Sequence, residues 1–166
     1  MRKFMGRVGV SAVAGLVVLA AARAEDRKIE PDKLPAKVLE AIKGRFPGAE
    51  ITSAEKETED GAVVYDIELK HKGRKYEMDI KEDGTVIEIE KQVDAKDVPA
   101  AVTKALEAKY PKATIEEVME VNKVKGKEET PIHYEVTLVT ADKKKMEVTV
   151  SLDGKSVKGE KGEEKK

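Results

Sequence analysis

The sequence predicts an α+β fold of two tandem repeats, each one helix packed on a roughly four-stranded antiparallel meander sheet in two layers. The first observation behind this is an internal repeat. Leu34-Pro35-Ala36-Lys37-Val38 returns as Val98-Pro99-Ala100-Ala101-Val102, and Phe46-Pro47-Gly48-Ala49 returns as Tyr110-Pro111-Lys112-Ala113, both 64 residues later. The second is an apolar spacing of four within each copy, bounded by prolines. The third is strict apolar–polar alternation in the segments C-terminal to each helix.

The N-terminal segment has its own pattern. Arg2, Lys3 and Arg7 precede an apolar stretch over residues 8–22, and Ala22-Arg23-Ala24 is a small-x-small site. The stretch is shorter than the roughly 20 residues a spanning helix needs. Residues 1–24 are therefore expected to be a signal peptide removed on export, with a periplasmic or secreted mature chain. Residues 25–33 are expected to be a linker, 34–91 the first repeat, 92–97 a connector, 98–158 the second repeat and 159–166 a charged disordered tail.

Each helix follows from local chemistry. Leu34, Val38, Ile42 and Phe46 line one helical face, as do Val98, Val102, Leu106 and Tyr110. Pro35 and Pro99 suit a helix start, where no backbone bond is lost. Pro47 and Pro111 disfavour helical geometry in the residue before them, so each helix should end near Phe46 and Tyr110. A weaker strand is expected over residues 51–57 and 115–123. Tyr65, Ile67 and Leu69 then alternate with Asp66, Glu68 and Lys70, and Tyr76, Met78 and Ile80 alternate with Glu77, Asp79 and Lys81. In the second copy Tyr134, Val136 and Leu138 lead to Met146, Val148 and Val150. Lys72-Gly73, Asp83-Gly84, Asp142-Lys143 and Asp153-Gly154 read as hairpin turns, the two Asp-Gly pairs as type I′. About five extra residues near 123–130 in the second copy are expected in a loop. A module of about 60 residues is marginal alone, so the copies should pack together, directly or by continuing one sheet.

Composition bounds the chemistry. The chain has no cysteine, hence no disulfide, no thiolate metal site and no residue to carry a lipid. Without residues 1–24 it has 28 basic and 33 acidic residues, a net charge of −5, with the signs interleaved. Nothing there suggests nucleic acid, which calls for a concentrated basic face.

The reactive side chains point away from catalysis. His71 and His133 have no nearby histidine partner and read as exposed strand residues rather than metal ligands. Glu55, Glu57, Glu59, Asp60, Glu116, Glu117 and Glu120 read as a solvated edge, since acid–base work needs a shielded pair. Tyr65, Tyr76, Tyr110 and Tyr134 have the phase of core residues with hydroxyls at the rim. No phosphate loop, nucleophile elbow or zinc-protease motif is present. The protein is expected to be no enzyme and to take no cofactor. The polar sheet face, with Asp66, Glu68, Lys70, Glu77, Asp79 and Lys81, is the expected partner surface.

The ordered set Leu34-Pro35, Phe46-Pro47, Tyr65-Asp66-Ile67-Glu68-Leu69 and Asp83-Gly84 resembles PepSY-like proteins. So does its second occurrence as Val98-Pro99, Tyr110-Pro111, Tyr134-Glu135-Val136-Thr137-Leu138 and Asp153-Gly154. More narrowly, the set is similar to the β-lactamase-inhibitor-like, PepSY-like group. The resemblance spans nearly all of residues 34–158 and implies a two-layer fold outside the cytoplasm. It also implies binding or inhibition of an envelope or secreted protein such as a peptidase. It carries no catalytic set over, since the matched positions are a helix start, a helix stop, strand cores and turns. A second expectation, from the acidic balance, is a periplasmic protein that binds a small ligand or divalent cation.

Overall fold

Two helices form where the apolar spacing places them. A computed structural model describes residues 27–59 and 61–159; the expected signal peptide and all of the expected tail but Gly159 lie outside them. Helix α1 covers Ala36–Arg45 and α2 covers Ala100–Lys109. Pro35 and Pro99 take the N-cap position with extended backbone, one residue before the first turn. At the other end Phe46 and Tyr110 are the C-caps, each donating its backbone N–H to the carbonyl four residues back, Ile42 and Leu106. Their φ,ψ pairs, −126°,70° and −126°,68°, show one stop signal used twice.

Among the described residues, nine strands follow chain order in one antiparallel sheet. They are β1 Arg27–Lys28, β2 Glu50–Glu59, β3 Ala62–His71, β4 Arg74–Lys81, β5 Val86–Gln92, β6 Thr114–Lys125, β7 Glu128–Val139, β8 Lys145–Ser151 and β9 Val157–Gly159. The expectation of a roughly four-stranded sheet per repeat is corrected to this extent: the strands are not divided into two sheets. The copies join where Glu88–Gln92 of β5 pairs with Met119–Lys123 of β6. Joining removes two open edges, each a row of unpaired backbone groups. Duplication extends to fine detail, because the ladder irregularity at Ile51/Ser53 recurs at Ile115/Glu117.

Several segments are more ordered than expected. The linker contains β1 and a 3₁₀ turn at Pro31–Lys33, and the connector contains the last residue of β5 and a second such turn at Ala95–Asp97. Gly159, the first residue of the expected tail, ends β9. The extra residues of the second copy do not form a loop. They lengthen β6 and β7 to 12 residues each, against 10 for β2 and β3.

Turn chemistry also differs. Asp83-Gly84 is not type I′, which requires a positive φ at both central residues. The turn centres on Glu82 and Asp83, and Gly84 N–H donates to Lys81 O at 2.8 Å with φ +87° at Gly84 alone. This is a type I turn followed by a left-handed glycine. Gly154 repeats it against Ser151 O at 2.9 Å. The type I′ turn lies instead at Lys72-Gly73, with φ 51° and 78°, between the paired His71 and Arg74.

Both helices lie on one face of the sheet, over two apolar clusters. Leu34, Val38 and Ile42 pack with Tyr65, Ile67, Leu69, Met78, Ile80 and Ile89. Val102 and Leu106 pack with Val118, Tyr134, Val136, Leu138, Val148 and Val150. The clusters are almost wholly aliphatic. Among the described residues no helix is long and apolar enough to cross a membrane.

Candidate binding surface

Strand alternation sends every second side chain to the face opposite the helices, and all six expected partner residues point there. Asp66, Glu68 and Lys70 come from β3, and Glu77, Asp79 and Lys81 from β4. Register aligns them into rows across the strands. One row runs Glu55–Asp66–Asp79–Glu88 and meets Lys123 on β6. The next runs Ser53–Glu68–Glu77–Glu90, then Val121, His133 and Ser151. Seven carboxylates thus stand in two adjacent rows.

The face is less wet than alternation suggests. Lys70 and Lys81 are exposed, and Asp66, Glu68 and Asp79 are half-buried. Glu77 and Glu90, in mid-row, are buried at 4% exposure. Side chains in the middle of a wide sheet have neighbours on both sides, which shields them more than rim positions.

Chemistry changes between the two halves of this face. On the second copy these two rows continue as Lys123 and Thr130, and as Val121, His133 and Ser151; the rows beyond them hold Met119, Glu135 and Thr149, then Glu117, Thr137 and Glu147. The first half is mainly acidic; the second mixes hydroxyl-bearing and apolar side chains with fewer carboxylates. At the boundary, Lys75 Nζ lies 3.1 Å from Glu77 and 3.3 Å from Glu117, and Gln92 Nε2 donates to Glu117 at 3.4 Å. On the helix side of the same seam Glu120 takes contacts from Lys91 at 3.4 Å, Asn122 at 3.3 Å and Tyr134 at 3.4 Å. Burial first, and then the Glu120 charge, push the Tyr134 hydroxyl above its ordinary pKa.

The remaining candidate residues fall apart as sites. His71, on the helix face, packs edge-on against Phe46 with ring centroids 5.6 Å apart. His133, on the opposite face, has its Nε2 3.5 Å from Glu135. Both are half-buried rather than exposed, and the sheet separates them. Tyr65 and Tyr134 are core residues at 3% and 6% exposure, while Tyr76 and Tyr110 are half-buried beside them. Asp60 and the Glu59 side chain lie outside the described residues. Glu116 pairs with Lys145 at 2.8 Å at the surface. Among the described residues no three acidic or histidine side chains are grouped to hold a metal ion. Glu55, Glu88 and Glu90, absent from the expected surface, belong to the same rows. Their phase within β2 and β5 was the available signal.

A family model described as "Putative beta-lactamase-inhibitor-like, PepSY-like" matches residues 22–88 and again 63–158. Among solved structures, a BLIP-like protein from Bacteroides fragilis is 19% identical, with TM-score 0.51, over 75% of this chain and 86% of its own. A putative periplasmic protein from Bacteroides eggerthii is 17% identical with TM-score 0.57, over 75% and 88%. A DUF2874 family protein from Bacteroides uniformis is 18% identical with TM-score 0.56, over the same shares of 75% and 88%. At these identities the likeness is one of fold. No curated protein matches the chain.

Proposed function

The chain belongs to the β-lactamase-inhibitor-like, PepSY-like family, and from that membership we propose that it is an exported, non-catalytic module that binds a protein of the envelope or exterior. The repeats are taken as residues 34–91 and 98–158, each a helix with four strands, behind a signal peptide over residues 1–24. Periplasmic placement is supported by the description of a neighbour of this fold.

The observation that carries this reading is the face opposite the helices. It presents Asp66, Glu68, Glu77 and Asp79 in register with Glu55, Glu88 and Glu90, rimmed by Lys70 and Lys81. Carboxylates without a nucleophile or a metal-type grouping recognise rather than react. A partner complementary to the first half carries a basic surface, and one complementary to the second half offers hydroxyl and apolar contacts. Inhibition of a peptidase is one form such binding takes. The alternative, a divalent cation held by the same carboxylates, lacks a converging group among the described residues.

A photo-crosslinking side chain placed at Glu68, and separately at exposed Lys104 of α2, tests the proposal in cells. A single protein crosslinked from Glu68 and not from Lys104 is the expected result. Equal capture from both sites, or none from Glu68, contradicts it.

A further inference from the structure

Among the described residues, the hairpin joining β6 and β7 does something its counterpart in the first copy does not. It reaches back across the seam to the first repeat's helix. Arg45, in the last turn of α1, donates Nη1–H to Glu129 Oε1 at 2.9 Å and Nη2–H to the Gly126 carbonyl. Val124, between exposed Lys123 and Lys125, is 7% exposed and packs in the apolar cluster of the first copy. Strand β6 is therefore shared: Val118 serves one core and Val124 the other.

We propose that this hairpin is a clasp that fixes the angle between the two repeats. Elsewhere the copies are joined by the five paired positions of β5 and β6 and by side-chain contacts across that seam. Neighbouring strands tolerate a range of twist, roughly 10–35°, so a single ladder leaves the angle adjustable. A second attachment on the helix side removes that freedom. Its parts suit the task. A planar guanidinium held by a carboxylate and a carbonyl is directional, and the pair is partly shielded, with side-chain exposures of 19% and 34%. The residues that build the clasp are the ones by which the second copy exceeds the first. They exist to break the symmetry of the duplication, and they set the curvature of the opposite face.

Because the native chain has no cysteine, spin labels can be placed cleanly at Lys43→Cys on α1 and Lys104→Cys on α2, both exposed. Distances between them are measured in the full chain, in Arg45→Ala and in Glu129→Gln. The native background should give one narrow distance. Both variants should broaden it while circular dichroism stays native, and melting should fall by about 2–4 °C. Unchanged width in Glu129→Gln and Arg45→Ala overturns the clasp. Should Arg45→Ala fail to fold, Glu129→Gln decides alone, since it exchanges one atom at the surface. The readout is a distance and not binding, so this result stands or falls apart from the proposed function.

Discussion

A Cβ built on Gly84 would lie 2.8 Å from the Lys37 carbonyl oxygen, and one on Gly154 would lie 2.4 Å from that of Ala101. Both glycines also have positive φ, +87° and +71°. Each turn therefore seats directly on the first turn of its helix, which is why an Asp-Gly pair closes this hairpin in both copies. Gly84→Ala and Gly154→Ala are each expected to cost about 1–3 kcal/mol, from the backbone penalty plus displacement of the helix. Urea midpoints at unchanged slope would show it. The aspartate beside each glycine adds pH dependence. The Lys155 N–H and the Ser151 hydroxyl hold the Asp153 carboxyl down to about 2 from 3.8. Asp83 and Asp142 are lowered too, first by Thr85 and Thr140. A folded pKa below the unfolded one means the unfolded chain binds the proton more readily. The stabilisation is complete above pH about 4 and lost as pH falls through about 2. Denaturant midpoints across that interval should fall more steeply for the native chain than for Asp153→Asn.

Helix α1 and helix α2 occupy equivalent places, with Ile42 and Leu106 each 2% exposed in their clusters. Ile42→Ala and Leu106→Ala are each expected to cost about 2–5 kcal/mol. With one sheet running through both copies, each should shift a single common unfolding transition, seen by calorimetry. At this scale the sequence was most readable. Helix limits follow from Pro35, Pro47, Pro99 and Pro111, which act on adjacent residues, and strand phase follows from alternation. Two features were not readable, for different reasons. The Asp-Gly dipeptide serves both a type I′ turn and a type I turn closed by left-handed glycine, so composition does not choose between them. The lengthening of β6 and β7 depends on what their tip touches, and Arg45 stands 84 residues from Glu129. Local pattern carries no trace of that contact.

In the whole molecule, one face is closely duplicated and the other only in part. Helix-side positions match between copies in kind, as Tyr65, Ile67 and Leu69 match Tyr134, Val136 and Leu138. On the opposite face the counterparts of Glu68 and Asp79 are Thr137 and Thr149, and that of Glu57 is Val121. Packing constrains the first set, and the divergence of the second fits the proposed partner surface. That Asp66, Glu68, Lys70, Glu77, Asp79 and Lys81 share one face was legible from alternation alone. The rows they form were not, because register joins β2, β3, β4 and β5 only once the sheet exists. The most direct measurement is the affinity of the protein crosslinked from Glu68 for the native chain and for a chain carrying Asp66→Asn, Asp79→Asn and Glu88→Gln, over a range of salt. Binding at least about tenfold weaker in the neutralised chain, with a flatter salt dependence, is the result expected. Equal affinity and equal salt dependence in the two chains would show that recognition lies elsewhere on the molecule.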